Sequence, residues 1–435
     1  MDQKRIMMNK SIVKLLNIAK KENIIRGIQQ DIYYFHDEPR IPSFNIELKY
    51  RSFSTPGFEM ERLRRYSAFS AERCLLKALG EAIERYSLSI YRREEFLWDN
   101  YKHLNKKAID PRRFASFSEL RIKPWFKIYN NYGENLNWTK AKCLNSQQDI
   151  LVPAQLVYLP YRFKKNESVI YFSISTGTAL FTSLNKAILT GLLETIERDA
   201  FMINYLNKLS RNIIDIRRIR DQIFKRIISL TERYNLNLYI LDISTDVPVY
   251  SILAILIDET GLGPAVSIGA KADLNIKDAI VGATEECFQV RPWIKGEMVR
   301  QGIKAIKKAK SDKYHVSRIV NRGLLWSTPD MINKIDFFLK GKKLSINDIR
   351  PRRAKDLYSP LGWFRKKKID VIYVDVTPAN LQNKVFAVKV MVLEFQPLYL
   401  DERYPSWVRK RLEEVPVRVG FKPLKKINRF PHPFL

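Results

Sequence analysis

Two stretches of the chain carry the same acidic pattern in the same apolar frame. Leu76 to Tyr86 reads Leu-Lys-Ala-Leu-Gly-Glu-Ala-Ile-Glu-Arg-Tyr, and Leu189 to Asp199 reads Leu-Thr-Gly-Leu-Leu-Glu-Thr-Ile-Glu-Arg-Asp. On a helix, Glu81, Glu84 and Arg85 fall at i, i+3 and i+4 and so share one face. Glu194, Glu197 and Arg198 repeat that face. A single Glu-x-x-Glu-Arg is the ordinary decoration of a solvated helix, and its ion pairs contribute only a few tenths of a kcal/mol. Two copies beside matching apolar stripes are a different matter. If the helices face each other, four carboxylates converge, and their repulsion calls for divalent cations between them. Hard oxygen ligands suit Mg²⁺, which in proteins usually accompanies nucleotide phosphates. Arg85 and Arg198 would then contact those phosphates in bidentate fashion. Glu286 and Gln289 stand three residues apart in a further segment, with Glu285 alongside. Their neighbours Ala283, Cys287 and Phe288 mark that segment as half-buried and Glu286 as a further metal-facing carboxylate.

These residues need helices to present them. Ser67 to Ile90 reads as a helix with Leu76, Leu79, Ile83 and Tyr86 as its apolar stripe. The small-residue turn Ser173-Ile-Ser-Thr-Gly-Thr-Ala179 leads into a second helix near Leu184 to Leu206. Leu274 to Val290 reads as a third. Asn237 to Ile243 and Val249 to Ile257 are β-branched apolar runs and predict adjacent strands, as do Ile369 to Val376 and Lys384 to Leu393. Residues 10–35 read as a short amphipathic helix followed by strand-like segments. Residues 91–165, punctuated by Pro111, Pro124, Pro153 and Pro160, read as strands and loops. No regular βαβ rhythm and no glycine-rich phosphate loop is present. The expectation is an α+β fold with antiparallel or mixed sheets, not a Rossmann or P-loop domain.

A chain of 435 residues with 46% hydrophobic and 12% aromatic residues can build sizeable cores. Its three cysteines are far apart and its histidines number four, which argues against a structural zinc site or a disulfide framework. No apolar run reaches the ~18 residues of a membrane span, and no secretory signal is visible, so a cytoplasmic location is expected. Lys and Arg outnumber Asp and Glu by 76 to 46, a formal charge of +30. Residues 291–368 hold 22 of those basic residues against 6 acidic ones. Such a segment attracts nucleic acid, acidic peptides or an acidic partner alike. No RNP, KH or zinc-finger signature accompanies it, so nucleic acid is not the expected partner. The Pro-rich end, Phe430-Pro-His-Pro-Phe-Leu435, cannot be helical. Its pre-ordered apolar residues could insert into the protein's own cleft at little entropic cost.

Several motifs, taken in order, resemble the YcaO family. They are Arg65-Tyr-Ser-Ala-Phe-Ser70, Ala78-Leu-Gly-Glu-Ala-Ile-Glu-Arg-Tyr-Ser87, Val152-Pro-Ala-Gln-Leu-Val-Tyr158, Ser175-Thr-Gly-Thr-Ala179, Gly191-Leu-Leu-Glu-Thr-Ile-Glu-Arg-Asp-Ala200, Ala283-Thr-Glu-Glu-Cys-Phe-Gln289 and Pro431-His-Pro-Phe-Leu435. Any one is weak, but the ordered set is specific. The likeness is greatest to the azoline-forming cyclodehydratases, the docking-scaffold type of peptide-modification clusters. The resemblance implies a YcaO fold with its helices around an ATP cleft. Residues 1–65 would form an N-terminal helix and strand segment, and 66–435 the YcaO domain, with a tail at 430–435 reaching the active site. It also implies ATP and Mg²⁺ as cofactors. Glu81, Glu84, Glu194, Glu197 and Glu286 would be metal ligands, and Ser67, Arg85, Arg198 and Gln289 nucleotide contacts. Pro433 and Leu435 of the tail would lie at the reacting groups. The implied partners are a ribosomally made precursor peptide, an E1-like (ThiF-like) leader-binding subunit supplied separately, a flavin-dependent dehydrogenase and a second copy of the chain. The pattern is not matched everywhere. Ser67 stands where the family has Lys, Lys77 where it has Ser, Lys186 where it has an acidic residue, Thr182 where it has Asn or a small residue, Gly282 where it has Arg, and Leu435 where it has Pro. Lys186 would repel Mg²⁺, so the alternative is a divergent scaffold that binds peptide or a partner subunit without turnover.

Overall fold

A computed structural model describes residues 9–30, 35–49, 63–117 and 124–435. Part of the strand-like reading of residues 10–35 lies outside the described residues. Among the described residues, three larger sheets organise the fold and a fourth joins only Ser116–Phe117 and Ser406–Trp407. A small antiparallel sheet joins Ile25–Gln30, Ser43–Leu48 and Leu63–Ser67. A five-stranded sheet runs Val266–Asp273, Tyr250–Ile257, Asn237–Asp242, Ile213–Ile214 and Lys343–Leu344, antiparallel except for the last pair. A six-stranded sheet includes Asn135–Cys143, Val371–Asp375, Phe386–Val392 and Thr178–Phe181. The fold is thus the expected mixture of helices with antiparallel and mixed sheets. Tyr250–Ile257 is buried from Ser251 onward because it is flanked by strands on both edges and apolar throughout. Among the described residues no helix is long and apolar enough to cross a membrane.

The helix Leu184–Leu206 is the hub. It packs on strands of both large sheets. Ala200 to Leu206 is buried all round, as a helix apolar on every face must be. The helix Ala71–Ser89 lies over the small sheet and also touches Thr178–Phe181 and Phe386–Val392. Ala78, Leu79, Ala82 and Ile83 are its fully buried face.

Two helix boundaries differ from the sequence reading. The first helix begins at Ala71, not Ser67, because Tyr66 and Ser67 pair with Phe44 and Ser43 in the small sheet. Ser70, in extended conformation, caps it by accepting from the Arg73 amide at 3.5 Å. The third helix runs past Val290 and through Pro292 to Ser311, with a non-helical Gly302. Pro292 would normally end it. Buried ion pairs hold the segment in place, Arg291 with Glu38 at 2.6 Å and with Asp258, and Lys295 with Glu38 at 3.3 Å. Beyond Ser311 the basic segment forms only short helices, the longest being Tyr358–Lys367.

The Pro-rich tail folds back into the protein. Tyr205 Oη donates to the carbonyls of Phe430 and Pro431 at 3.0 and 3.1 Å. Trp326 Nε1 donates to Pro431 O at 3.2 Å, and the fully buried Arg322 donates to His432 O at 3.0 Å.

Candidate active site

The two Glu-x-x-Glu-Arg faces meet, and Glu286 joins them. Glu84 feels the charges of Glu81 and Glu194, Glu197 feels Glu194, and Glu286 feels Glu197. Backbone amides from three places orient these carboxylates. Glu194 accepts from Gly177 N at 3.1 Å, Glu197 from Ala272 N at 2.8 Å and Glu286 from Ala270 N at 2.7 Å. Arg198 lies between them, 3.1 Å from Glu197, 3.7 Å from Glu194 and 3.9 Å from Glu286. Arg85 instead grips Glu81 of its own helix through Nε and Nη2 at 3.2 and 3.0 Å.

The glycine of Ser175-Thr-Gly-Thr-Ala179 makes this assembly possible. Gly177 has φ +85°, and a Cβ there would collide with the Val390 carbonyl. Its own carbonyl accepts from Val390 N at 2.7 Å while its amide serves Glu194. A single backbone unit therefore ties the second acidic helix to the Phe386–Val392 strand.

Desolvation leaves several of these acids holding protons more tightly than usual. Burial, opposed by Arg85 and reinforced by Glu81 and Glu194, pushes the Glu84 carboxyl up to about 8. Burial, against the pull of Arg198, pushes Glu286 up to about 7. Glu197 is also raised by burial. The charge of the cluster is under-compensated, and the Arg198 Nη1 donor is buried without an aligned hydrogen bond. As the side chains stand, no group of three His, Cys, Asp or Glu among the described residues is close enough to share one metal ion. The donor set, all carboxylate oxygen with excess negative charge, nonetheless fits Mg²⁺. Glu84, Glu194, Glu197 and Glu286 would hold it, while Glu81, the fifth carboxylate expected there, is engaged by Arg85.

The other expected residues are placed as follows. Gln289 accepts from the backbone of Ser67 at 3.1 Å, so these two nucleotide candidates touch through the Ser67 amide. Pro433 is buried and Leu435 half-buried. The tail residue seen against the site is Phe434, whose ring lies 4.1 Å from the Arg198 guanidinium carbon.

The positions that depart from the family pattern also find partners. Lys77 donates to Glu285 at 2.6 Å, and Glu285 also accepts from Phe69 N at 3.1 Å. Gly282 is covered by the Lys271 side chain, whose Cγ would be 2.8 Å from a Cβ there. Lys271 acts electrostatically on both Glu197 and Glu286. It supplies, from the Val266–Asp273 strand, a cation on the side where the helix has none. Lys186 is exposed in the first turn of its helix.

Sequence reasoning missed Lys389. Its Nζ donates to the carbonyls of Ile174 and Thr176 at 2.6 and 2.7 Å. Burial pushes it down to about 7, although Glu194 and Glu84 pull the other way. The signal was there, a lone lysine in the apolar run Phe386–Val392.

A mixed-sheet fold in which two acidic helices each carry a half-buried arginine among their glutamates defines a site for a metal–nucleotide complex. The pattern of the YcaO cyclodehydratase family, described as ATP- and Mg²⁺-binding, matches residues 67–396. This chain belongs to the YcaO family. It is similar to a heterocyclase solved in complex with substrate and cofactor, with a TM-score of 0.76 at 19% identity, covering 97% of this chain and 57% of that one. It is similar as well to the YcaO protein of Methanopyrus kandleri bound with AMPPCP and Mg²⁺, with a TM-score of 0.63 at 17% identity, covering 92% of this chain and 93% of that one. An uncharacterised protein of Methanothermobacter thermautotrophicus is 23% identical over 215 residues, 49% of this chain and 53% of its own length. The chain thus spans only about half the length of some of these relatives.

Proposed function

We propose that this chain is an ATP-dependent cyclodehydratase subunit that converts Cys, Ser or Thr residues of a ribosomally made peptide to azolines. The side-chain thiol or hydroxyl gives up its proton to water as it adds to the preceding amide carbon, and the former carbonyl oxygen takes the γ-phosphoryl group of ATP. ADP is released. Phosphate then leaves with that oxygen, the amide nitrogen loses its proton, and a C=N bond closes the ring. Glu84, Glu194, Glu197 and Glu286 would hold Mg²⁺, which when bound would neutralise charge at the phosphates. Arg198, fixed among three carboxylates, presents donors to the transferring group. The tail at Phe434 covers Arg198 and helps exclude water.

The observation that supports this reading best is the convergence of Glu194, Glu197 and Glu286 on Arg198, with Glu84 of the first acidic helix near Glu194, within a chain that the family pattern matches over 67–396. The test is phosphate release from ATP with cognate peptide and partner subunit. Glu197→Gln should abolish it, and full activity in that variant would overturn the site assignment. The second reading, a scaffold without turnover, rests on Ser67, Lys77, Lys186 and Gly282. Calorimetric titration separates the two, since micromolar affinity for ATP with Mg²⁺ excludes the scaffold. The proposed assembly is a homodimer working with an E1-like leader-binding subunit, with a flavin-dependent dehydrogenase acting on the azoline. In this reading residues 1–65 form the N-terminal segment of one YcaO domain, located in the cytoplasm.

A further inference from the structure

Three arginines of the basic segment, Arg350, Arg352 and Arg353, line a cavity of about 1040 Å³ that shares no lining residue with the glutamate cluster. Arg211 enters the same cavity from the other side. It is 8% exposed and donates through Nε to Asp242 O at 2.9 Å and through Nη2 to Ser244 O at 2.8 Å. Arg352 donates through Nη1 to the carbonyls of Thr245 and Val247 at 3.0 and 2.9 Å. Main-chain carbonyls of one loop, residues 242–247, therefore fix both guanidiniums. Among the described residues neither has a carboxylate at ion-pair distance. The Arg352 Nε and the Thr245 hydroxyl are buried with no hydrogen-bond partner.

Buried arginines are ordinarily paired, because a desolvated cation without a counter-charge is costly. Here burial, and then the proximity of another arginine, lower both below the ordinary arginine range, with Asp242 pulling the other way. Two fixed planar donors side by side match the oxygens of a phosphate group. An acidic peptide would offer its carboxylates spaced along a chain, whereas two adjacent guanidiniums suit one compact dianion. The volume is that of a small-molecule site.

We propose that this cavity is a second anion site, which binds a small phosphorylated molecule between Arg211 and Arg352. The inference is independent of the proposed reaction. One wall of the cavity is Asp246, paired with Arg418 at 2.7 Å and with Arg411 at 3.0 Å, and Arg411 pairs at 2.7 Å with Asp199, the neighbour of Arg198.

The test is calorimetric titration of inorganic phosphate into the full chain, with the glutamate site saturated by Mg²⁺ and a non-hydrolysable ATP analogue. Saturable binding at one site is expected, weakened by about tenfold or more in Arg352→Gln, as for loss of a charged hydrogen bond. Because Arg352 also anchors a loop, the double variant Arg350→Gln/Arg353→Gln, altered only at exposed side chains, is run in parallel and should weaken binding about threefold. Phosphate binding that the ATP analogue displaces, that neither variant alters, or that is absent in the wild type overturns the proposal. So does a hexaglutamate peptide that binds where phosphate does not.

Discussion

Glu84→Gln should stabilise the metal-free protein, and only at high pH. The Glu84 carboxyl is pushed from an ordinary 4.5 up to about 8 in the fold. The folded state therefore holds this proton more tightly than the unfolded chain does. Below pH 4.5 the group is neutral in both states and costs nothing. As the pH rises through that window, the unfolded chain ionises first and stability falls, levelling off above about 8. Each factor of ten in proton affinity is worth about 1.4 kcal/mol, which puts a ceiling near 5 kcal/mol on the penalty. Glu84 keeps some contact with solvent and shares its repulsion with Glu81 and Glu194, so about 2 kcal/mol is the expected part. A chain of 435 residues melts with an entropy of roughly 0.9 kcal/mol per kelvin, so the gain is about 2 °C. The assay is thermal melting in the presence of chelator at pH 5 and pH 9. The variant should match the wild type at the lower pH and exceed it at the higher. Mg²⁺ with an ATP analogue should then invert the order at pH 9, because only the wild type gains the full binding free energy, about 2.7 kcal/mol at a hundredfold excess over Kd. An equal shift at both pH values, or a less stable variant at pH 9, would refute the account of an under-compensated acidic cluster.

Two further substitutions probe Lys271, which the sequence did not nominate, and Phe434 of the tail. Lys271→Ala should weaken ATP binding with Mg²⁺ by about tenfold while leaving the circular dichroism spectrum unchanged, since it removes a charge beside Glu197 and Glu286 and not a core contact. Phe434→Ala removes a ring that is 1% exposed and lies 4.9 Å from Phe201. That is about 3–5 kcal/mol of local packing, so the tail should undock before the remainder unfolds. The expected readout is a kcat lowered about tenfold or more with the melting temperature within about 1 °C; an unchanged kcat would remove the tail from the site.

What could be read from the sequence was whatever repeats locally. The helix Leu184–Leu206 falls where its period placed it, and the antiparallel pair Asn237–Asp242 and Tyr250–Ile257 lies within its two apolar runs. Glu81, Glu84, Glu194 and Glu197 were legible because two helices carry copies of one face, and Glu286 because of the apolar residues around it. The start of the first helix was not, because pairing of Ser67 with Ser43 overrides what local pattern suggests. The continuation through Pro292 was hidden for the same reason, since Glu38 and Asp258 reach Arg291 from far along the chain. Lys271 belongs to the site only through its strand's place in the five-stranded sheet, which one-dimensional spacing does not record; Lys389 stood out as a lone lysine in an apolar run, but its place near Glu194 and Glu84 came only with the fold. The basic segment looked like surface charge. Only the fold shows that Arg352 turns inward to meet Arg211.

The bond between Gly177 and Val390, together with the lysine beside it, bears on how the protein is made. Lys389 reaches the Ile174 and Thr176 carbonyls across 215 and 213 residues of chain. A ribosome adding 5–20 residues per second needs roughly 10–40 s to pass from the second acidic helix to this strand. During that interval the nascent chain carries its glutamates in water, where they ionise without penalty and bind no nucleotide tightly. The cost of packing them together arises only when the Phe386–Val392 strand docks, and from then on the finished site can bind the metal that relieves it. Fragments that stop short of residue 390 should therefore be blind to ATP even where their helices have formed.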